Sequence, residues 1–68
     1  MKRKPDVHIH NNGSVVMVEP VTRRAVAWVA TNVGLEDWQW FGGAFACEPR
    51  HVDNLVNGMQ ADGLTVTP

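Results

Sequence analysis

The stretch Asp6-Val7-His8-Ile9-His10-Asn11-Asn12-Gly13-Ser14-Val15-Val16-Met17-Val18 decides how this chain folds. Its first five residues alternate polar and apolar, the period of two that sends successive side chains to opposite faces of a strand. Asn11-Asn12-Gly13 then supply residues that tolerate positive φ, and an apolar run resumes at Val15. The reading is a β-hairpin. A two-residue turn at Asn12-Gly13 sets Val7 against Val18 and Ile9 against Val16 on one face. His8 against Met17 and His10 against Val15 then occupy the other. Moving the turn to Asn11-Asn12 keeps these faces, whereas a three-residue loop exchanges them.

Beyond the hairpin, Glu19-Pro20 is read as the end of the second strand, and Thr22 caps a helix that runs to about Val33. Gly34 closes that helix in the left-handed conformation. At 100° per residue its apolar stripe is Val26, Val29 and Val33, flanked by Ala25 and Ala30, with Trp28 off the stripe. Trp38-Gln39-Trp40-Phe41 leads through a bulge or bend at Gly42-Gly43 into a third strand, Ala44 to Glu48. Pro49 suits the first position of a second helix, whose stripe is Val52, Leu55, Val56 and Met59. Gly63 stops it, Leu64 makes the hydrophobic contact of a Schellman motif, and Leu64 to Thr67 forms a short last strand.

The order ββαβαβ predicts an α+β fold, a four-stranded mixed sheet with two helices packed on one face. Residues 1–5 read as a flexible basic tail and 6–68 as a single domain. The inward set is Val7, Ile9, Val16, Val18, Val26, Val29, Val33, Phe45, Cys47, Val52, Leu55, Val56, Met59, Leu64 and Val66. The opposite sheet face is left uncovered and carries His8, His10, Val15, Met17, Ala44 and Ala46, with Thr65 and Thr67. Such a surface is unusually small and apolar for contact with water alone. It is the first candidate binding patch, to be covered by a second copy of the chain or by a target.

Composition narrows the function. A chain of 68 residues buries only about 60% of its unfolded surface, so stability is roughly 3–10 kcal/mol and leaves little to offset strained catalytic machinery. One cysteine, Cys47, excludes an internal disulfide. The longest apolar runs fall far short of the roughly 18 residues of a membrane span, and Pro5, Asp6 and His8 interrupt any leader after Met1-Lys2-Arg3-Lys4. A cytoplasmic protein without membrane contact is expected. Three of the six positive residues lie in the first four positions, leaving three positives against seven acids in residues 5–68. An acidic body disfavours nucleic acid as partner, although Lys2, Arg3, Lys4, Arg23 and Arg24 with stacking tryptophans form the alternative.

No catalytic residue, cofactor or metal site is assigned. Cys47 and His51 form the closest nucleophile and base pair, but the thiol shares its strand parity with Phe45, and burial raises a thiol pKa. His8 and His10 lie about 7 Å apart on one strand face and require a third ligand, for which His51 and Cys47 are the candidates. Gly42-Gly43 precedes a strand and lacks the Lys and Ser/Thr of a phosphate loop. The second candidate surface is aromatic: Trp28, Trp38, Trp40 and Phe41. Trp38 and Trp40 suit the closed end of a small core, while Trp28 either packs under the Trp38–Phe41 loop or stands exposed as an anchor.

The string from Trp40 to Leu64, with Trp-Phe-Gly-Gly at its start and Ala-Asp-Gly-Leu at its end, resembles a family of small uncharacterised proteins encoded in bacteriophage and prophage genomes of proteobacteria. The segments from Asp6 to Val16, Glu19 to Thr22, and Ala27-Trp28 are similar to it too. The resemblance implies a context rather than a residue role: a non-catalytic phage accessory protein that binds a host macromolecule, of the host-takeover or anti-defence inhibitor type.

Overall fold

The computed structural model describes residues 5–36 and 39–67. Lys2, Arg3 and Lys4 of the expected tail, and Trp38, lie outside the described residues. The elements are β1 (Val7–Asn11), β2 (Val16–Pro20), α1 (Arg23–Asn32), β3 (Trp40–Phe41), β4 (Ala44–Cys47), α2 (Pro49–Ala61) and β5 (Val66–Thr67). They build one sheet in the order β3-β4-β2-β1-β5, antiparallel except where β5 runs parallel to β1. The α+β class and the mixed sheet stand, but the sheet has five strands, not four. The additional strand comes from Gly42-Gly43. These glycines form a tight reversal, with Gly42 at φ 66, so that Trp40 pairs with Phe45 and Phe41 with Ala44.

In the first hairpin the turn lies one residue beyond its expected place. The Asn12 N–H donates to the Val15 carbonyl at 2.9 Å, leaving Gly13-Ser14 as the two-residue turn. Gly13 takes φ 82, and its N–H is held by the Asn11 side chain at 3.0 Å, a local bond that competes with a turn at Asn12. The partners therefore slip by two: Ile9 faces Val18 and His10 faces Met17. A slip of two preserves faces, so Val7, Val16 and Val18 are buried as the alternation requires.

β2 also continues through Glu19-Pro20, with Pro20 opposite Val7. Proline is tolerated there because the pairing of β2 with β4 ends at Val18, so no ladder bond needs its missing N–H. Glu19 consequently joins the outer face.

Both helices cover the other face. Val7, Val18 and Phe45 of the sheet meet Ala25 and Val29 of α1, Met59 of α2 and Leu64 in one buried cluster. Thr22 caps α1 by accepting the Ala25 N–H at 3.3 Å, and Gly34 leaves it at φ 66. The stripe of α1 is Ala25, Trp28, Val29 and Val33, whereas Val26, assigned to the core from sequence, is 47% exposed. The indole of Trp28 lies over α2 at Gly58, where a Cβ would stand 3.4 Å from the ring, and its Nε1–H donates to Asp62 at 2.6 Å. With this packing Trp28 joins the buried stripe of α1 and Val26 leaves it. Trp28 thus packs against α2 rather than standing as a free anchor, and Trp38 of the loop expected over it lies outside the described residues.

α2 follows its local signals closely. Pro49 stands in the first turn after an extended Glu48, and Gly63 at φ 88 ends the helix. The Leu64 N–H reaches the Met59 carbonyl and the Gly63 N–H the Gln60 carbonyl, both at 3.0 Å, which are the two bonds of a Schellman stop.

Candidate functional site

Sheet registry assembles the uncovered face. Met17 lies between His10 on β1 and Ala46 on β4; Glu19 lies opposite His8, and His8 opposite Thr67 on β5. Phe41, on β3 beside Ala44, extends this face to the edge and is 62% exposed. His8, Met17, Glu19, Ala44 and Thr67 are half-buried among one another, whereas His10 and Ala46 are exposed. Val15 sits at the hairpin end, 39% exposed and outside β2 proper. Five of the six residues of the first candidate patch, His8, His10, Met17, Ala44 and Ala46, therefore lie on one face, and Val15 belongs to the hairpin end.

Glu19 and Phe41 are the members that sequence reading missed. Glu19 was read as the end of β2, and Phe41 as part of a continuous run into β4. The available signal was parity: once β2 runs to Pro20, Glu19 has the same parity as Met17. The polar side of the face is internally bonded. His10 Nε2 lies 3.0 Å from Glu19 Oε1, His8 Nδ1 lies 3.1 Å from Thr67 Oγ1, and the two imidazole centroids are 6.1 Å apart.

The aromatic candidate divides. Trp40 turns to the helix side and meets Phe45 edge to face at 5.5 Å between centroids, in the core-closing role expected of it. Phe41, its neighbour in sequence, points to the opposite face, and Trp28 belongs to the helix pair. These three do not form one surface.

A second concavity lies on the helix side. An open groove of about 550 Å³ runs between the end of α1, Leu35, β4 and the start of α2, floored by Val33, Phe45, Cys47 and Leu55. His51 and Cys47 both border it. Burial, and after it the carboxylate of Glu48, pushes the Cys47 thiol up from its ordinary value, and Sγ points to the Glu48 carbonyl at 3.5 Å. A thiol so placed is protonated at neutral pH and is a poor nucleophile.

Two of the arginines are engaged in ion pairs. Arg24, counted among possible phosphate contacts, is bound to Asp6, and Arg50 pairs with Glu48 at 2.7 Å. Among the described residues Arg23 is the one arginine outside an ion pair. No helix among the described residues is long and apolar enough to cross a membrane.

No family model, curated protein or solved structure matches the chain.

Proposed function

We propose that this is a non-catalytic binding protein that docks a macromolecular partner, a host protein in the phage setting that the resemblance implies, on the bare face of its sheet. The observation that carries this reading is the asymmetry of the sheet. Helices cover one side, and the other presents Phe41 at 62% exposure beside Met17, Ala44 and Ala46. Apolar side chains grouped on a rigid sheet lose little conformational entropy on docking, which favours binding there. The protonated Cys47 thiol supports a role without nucleophilic chemistry. Engagement of Arg24 and Arg50 in ion pairs supports a protein partner over nucleic acid.

The test is affinity capture from a bacterial lysate with wild type, Met17→Glu and, as a control on the exposed side of α1, Ala30→Glu. A partner retained by wild type and the control but lost with Met17→Glu is the expected result, because the substitution buries an unpaired charge in the contact. Capture that Met17→Glu leaves unchanged overturns the reading. Binding to DNA or RNA that weakens steeply with salt replaces it with the nucleic-acid alternative.

A further inference from the structure

We infer that the bare sheet face carries an arginine-binding site, in which Phe41 and Glu19 flank Ala44 and take the guanidinium of a partner protein between an aromatic ring and a carboxylate. The inference rests on the reading that this face docks a protein, and it names the side chain that anchors the partner.

Registry places the three residues in a row. Phe41 on β3 pairs directly with Ala44 on β4. On the other side of β4, the register Met17 to Ala46 and Val18 to Phe45 carries Glu19 of β2 level with Ala44. The strands flanking β4 lie about 10 Å apart, two strand spacings, and at this level only the methyl of Ala44 stands between them. The result is a shallow trough with a ring on one wall and a carboxylate on the other. Met17, beside Ala46, continues the Glu19 wall along β2. A guanidinium is flat, stacks on an aromatic face and donates to a carboxylate, so it meets both walls at once. An ammonium is a more strongly hydrated point charge and gains less from the ring.

Both walls are accessible. Phe41 is 62% exposed and the Glu19 side chain 42%. Glu19 Oε1 lies 3.0 Å from His10 Nε2, while Oε2 is turned to the β3–β4 turn, 4.0 Å from the point where a Cβ on Gly43 would stand. An acceptor is thus left at the Phe41 end of the trough. The arginines of the described residues belong to the helices: Arg23 and Arg24 begin α1, and Arg50 lies in α2. Three positives against seven acids in residues 5–68 give the body a charge that draws a cation and repels an acidic segment.

The experiment is an amide and aromatic NMR titration of the protein at pH 7.5 with acetyl-Leu-Arg-Leu-amide and with its lysine and glutamate counterparts. The arginine peptide should bind saturably with Kd on the order of a millimolar, the scale of one anchoring side chain. Shifts should centre on Phe41, Ala44 and Glu19 and leave α2 unmoved, with the lysine peptide weaker and the glutamate peptide inert. Glu19→Gln and Phe41→Leu should each weaken the arginine peptide roughly two- to fivefold. No saturable shift at about 20 mM arginine peptide overturns the proposal. So do lysine or glutamate peptides that bind as well, shifts centred elsewhere, or binding that both variants leave unchanged. The wild-type shift map decides the matter even if a variant folds poorly. An arginine peptide that fails while Met17→Glu still abolishes partner capture removes this site and leaves the docking reading. Arginine binding beside capture that Met17→Glu leaves unchanged does the reverse.

Discussion

The guanidinium of Arg24 grips the carboxylate of Asp6 with two parallel hydrogen bonds, Nε to Oδ1 at 2.9 Å and Nη2 to Oδ2 at 2.7 Å. The same carboxylate accepts the Thr22 hydroxyl at 2.7 Å and the Thr65 N–H at 2.9 Å, and Arg24 also donates to the Gly63 carbonyl at 2.8 Å. One carboxylate, 5% exposed as a residue, thus joins the start of β1, the cap of α1 and the turn between α2 and β5. These bonds, led by that of Arg24, hold the Asp6 carboxyl well below the usual carboxylate range.

Acid should therefore weaken the fold through Asp6. A depressed native pKa means the unfolded state binds the proton first, so the contribution is complete above about pH 4 and is lost as pH falls toward the native value. Urea denaturation of wild type and Asp6→Asn from pH 7 to pH 2 checks this. The variant should be less stable at pH 7 and lose less on acidification; equal slopes for the two proteins would contradict the assignment.

Gly58 should accept alanine but not leucine. A Cβ there meets Trp28 at 3.4 Å, an ordinary contact, and alanine gains up to about 1 kcal/mol in helix propensity over glycine. Gly58→Leu must displace the indole and break its bond to Asp62, and should cost roughly 1–3 kcal/mol. Thermal melts of the two variants, with tryptophan fluorescence as the local probe, distinguish these outcomes.

Met59, fully buried, should be the costliest truncation in α2, with Met59→Ala losing about 2–5 kcal/mol in chemical denaturation. Leu55 borders the open groove and is only half-buried, so Leu55→Ala should lose less. Reversal of that order would mean that α2 presents a different face to the sheet.

Val26→Lys should be nearly neutral and Val29→Lys severely destabilising, since Val26 is 47% exposed and Val29 is fully buried. Circular dichroism melts of the pair read directly which face α1 buries.

Gly63→Val should destabilise by about 1–2 kcal/mol, because φ is 88 at that position and a β-branched side chain resists it. A melt indistinguishable from wild type would show that the helix can stop another way.

What the sequence alone determined is what nearest neighbours along the chain control. The Thr22 cap, Pro49 in a first turn and the Gly63–Leu64 stop each depend on residues within about six positions, and each stands where the local rule places it. Strand parity is equally local, so the face holding His8, His10, Met17, Ala44 and Ala46 was readable even though the turn lay one residue further on. Tertiary structure decided the rest, because competing local readings differ little in energy until distant partners choose among them. Gly42-Gly43 suits a bend or a hairpin alike, and the pairing of Trp40 and Phe41 with β4 selects the hairpin. The place of Trp28 in the buried stripe of α1 goes with its contacts to Gly58 and Asp62, up to 34 positions away. Asp6 finds Thr22, Arg24 and Thr65 at separations of 16, 18 and 59 residues, and nothing in its own neighbourhood marks it as the carboxylate they share. Glu19 reaches the outer face for the same reason: β2 continues past it only because β1 is there to pair with Pro20.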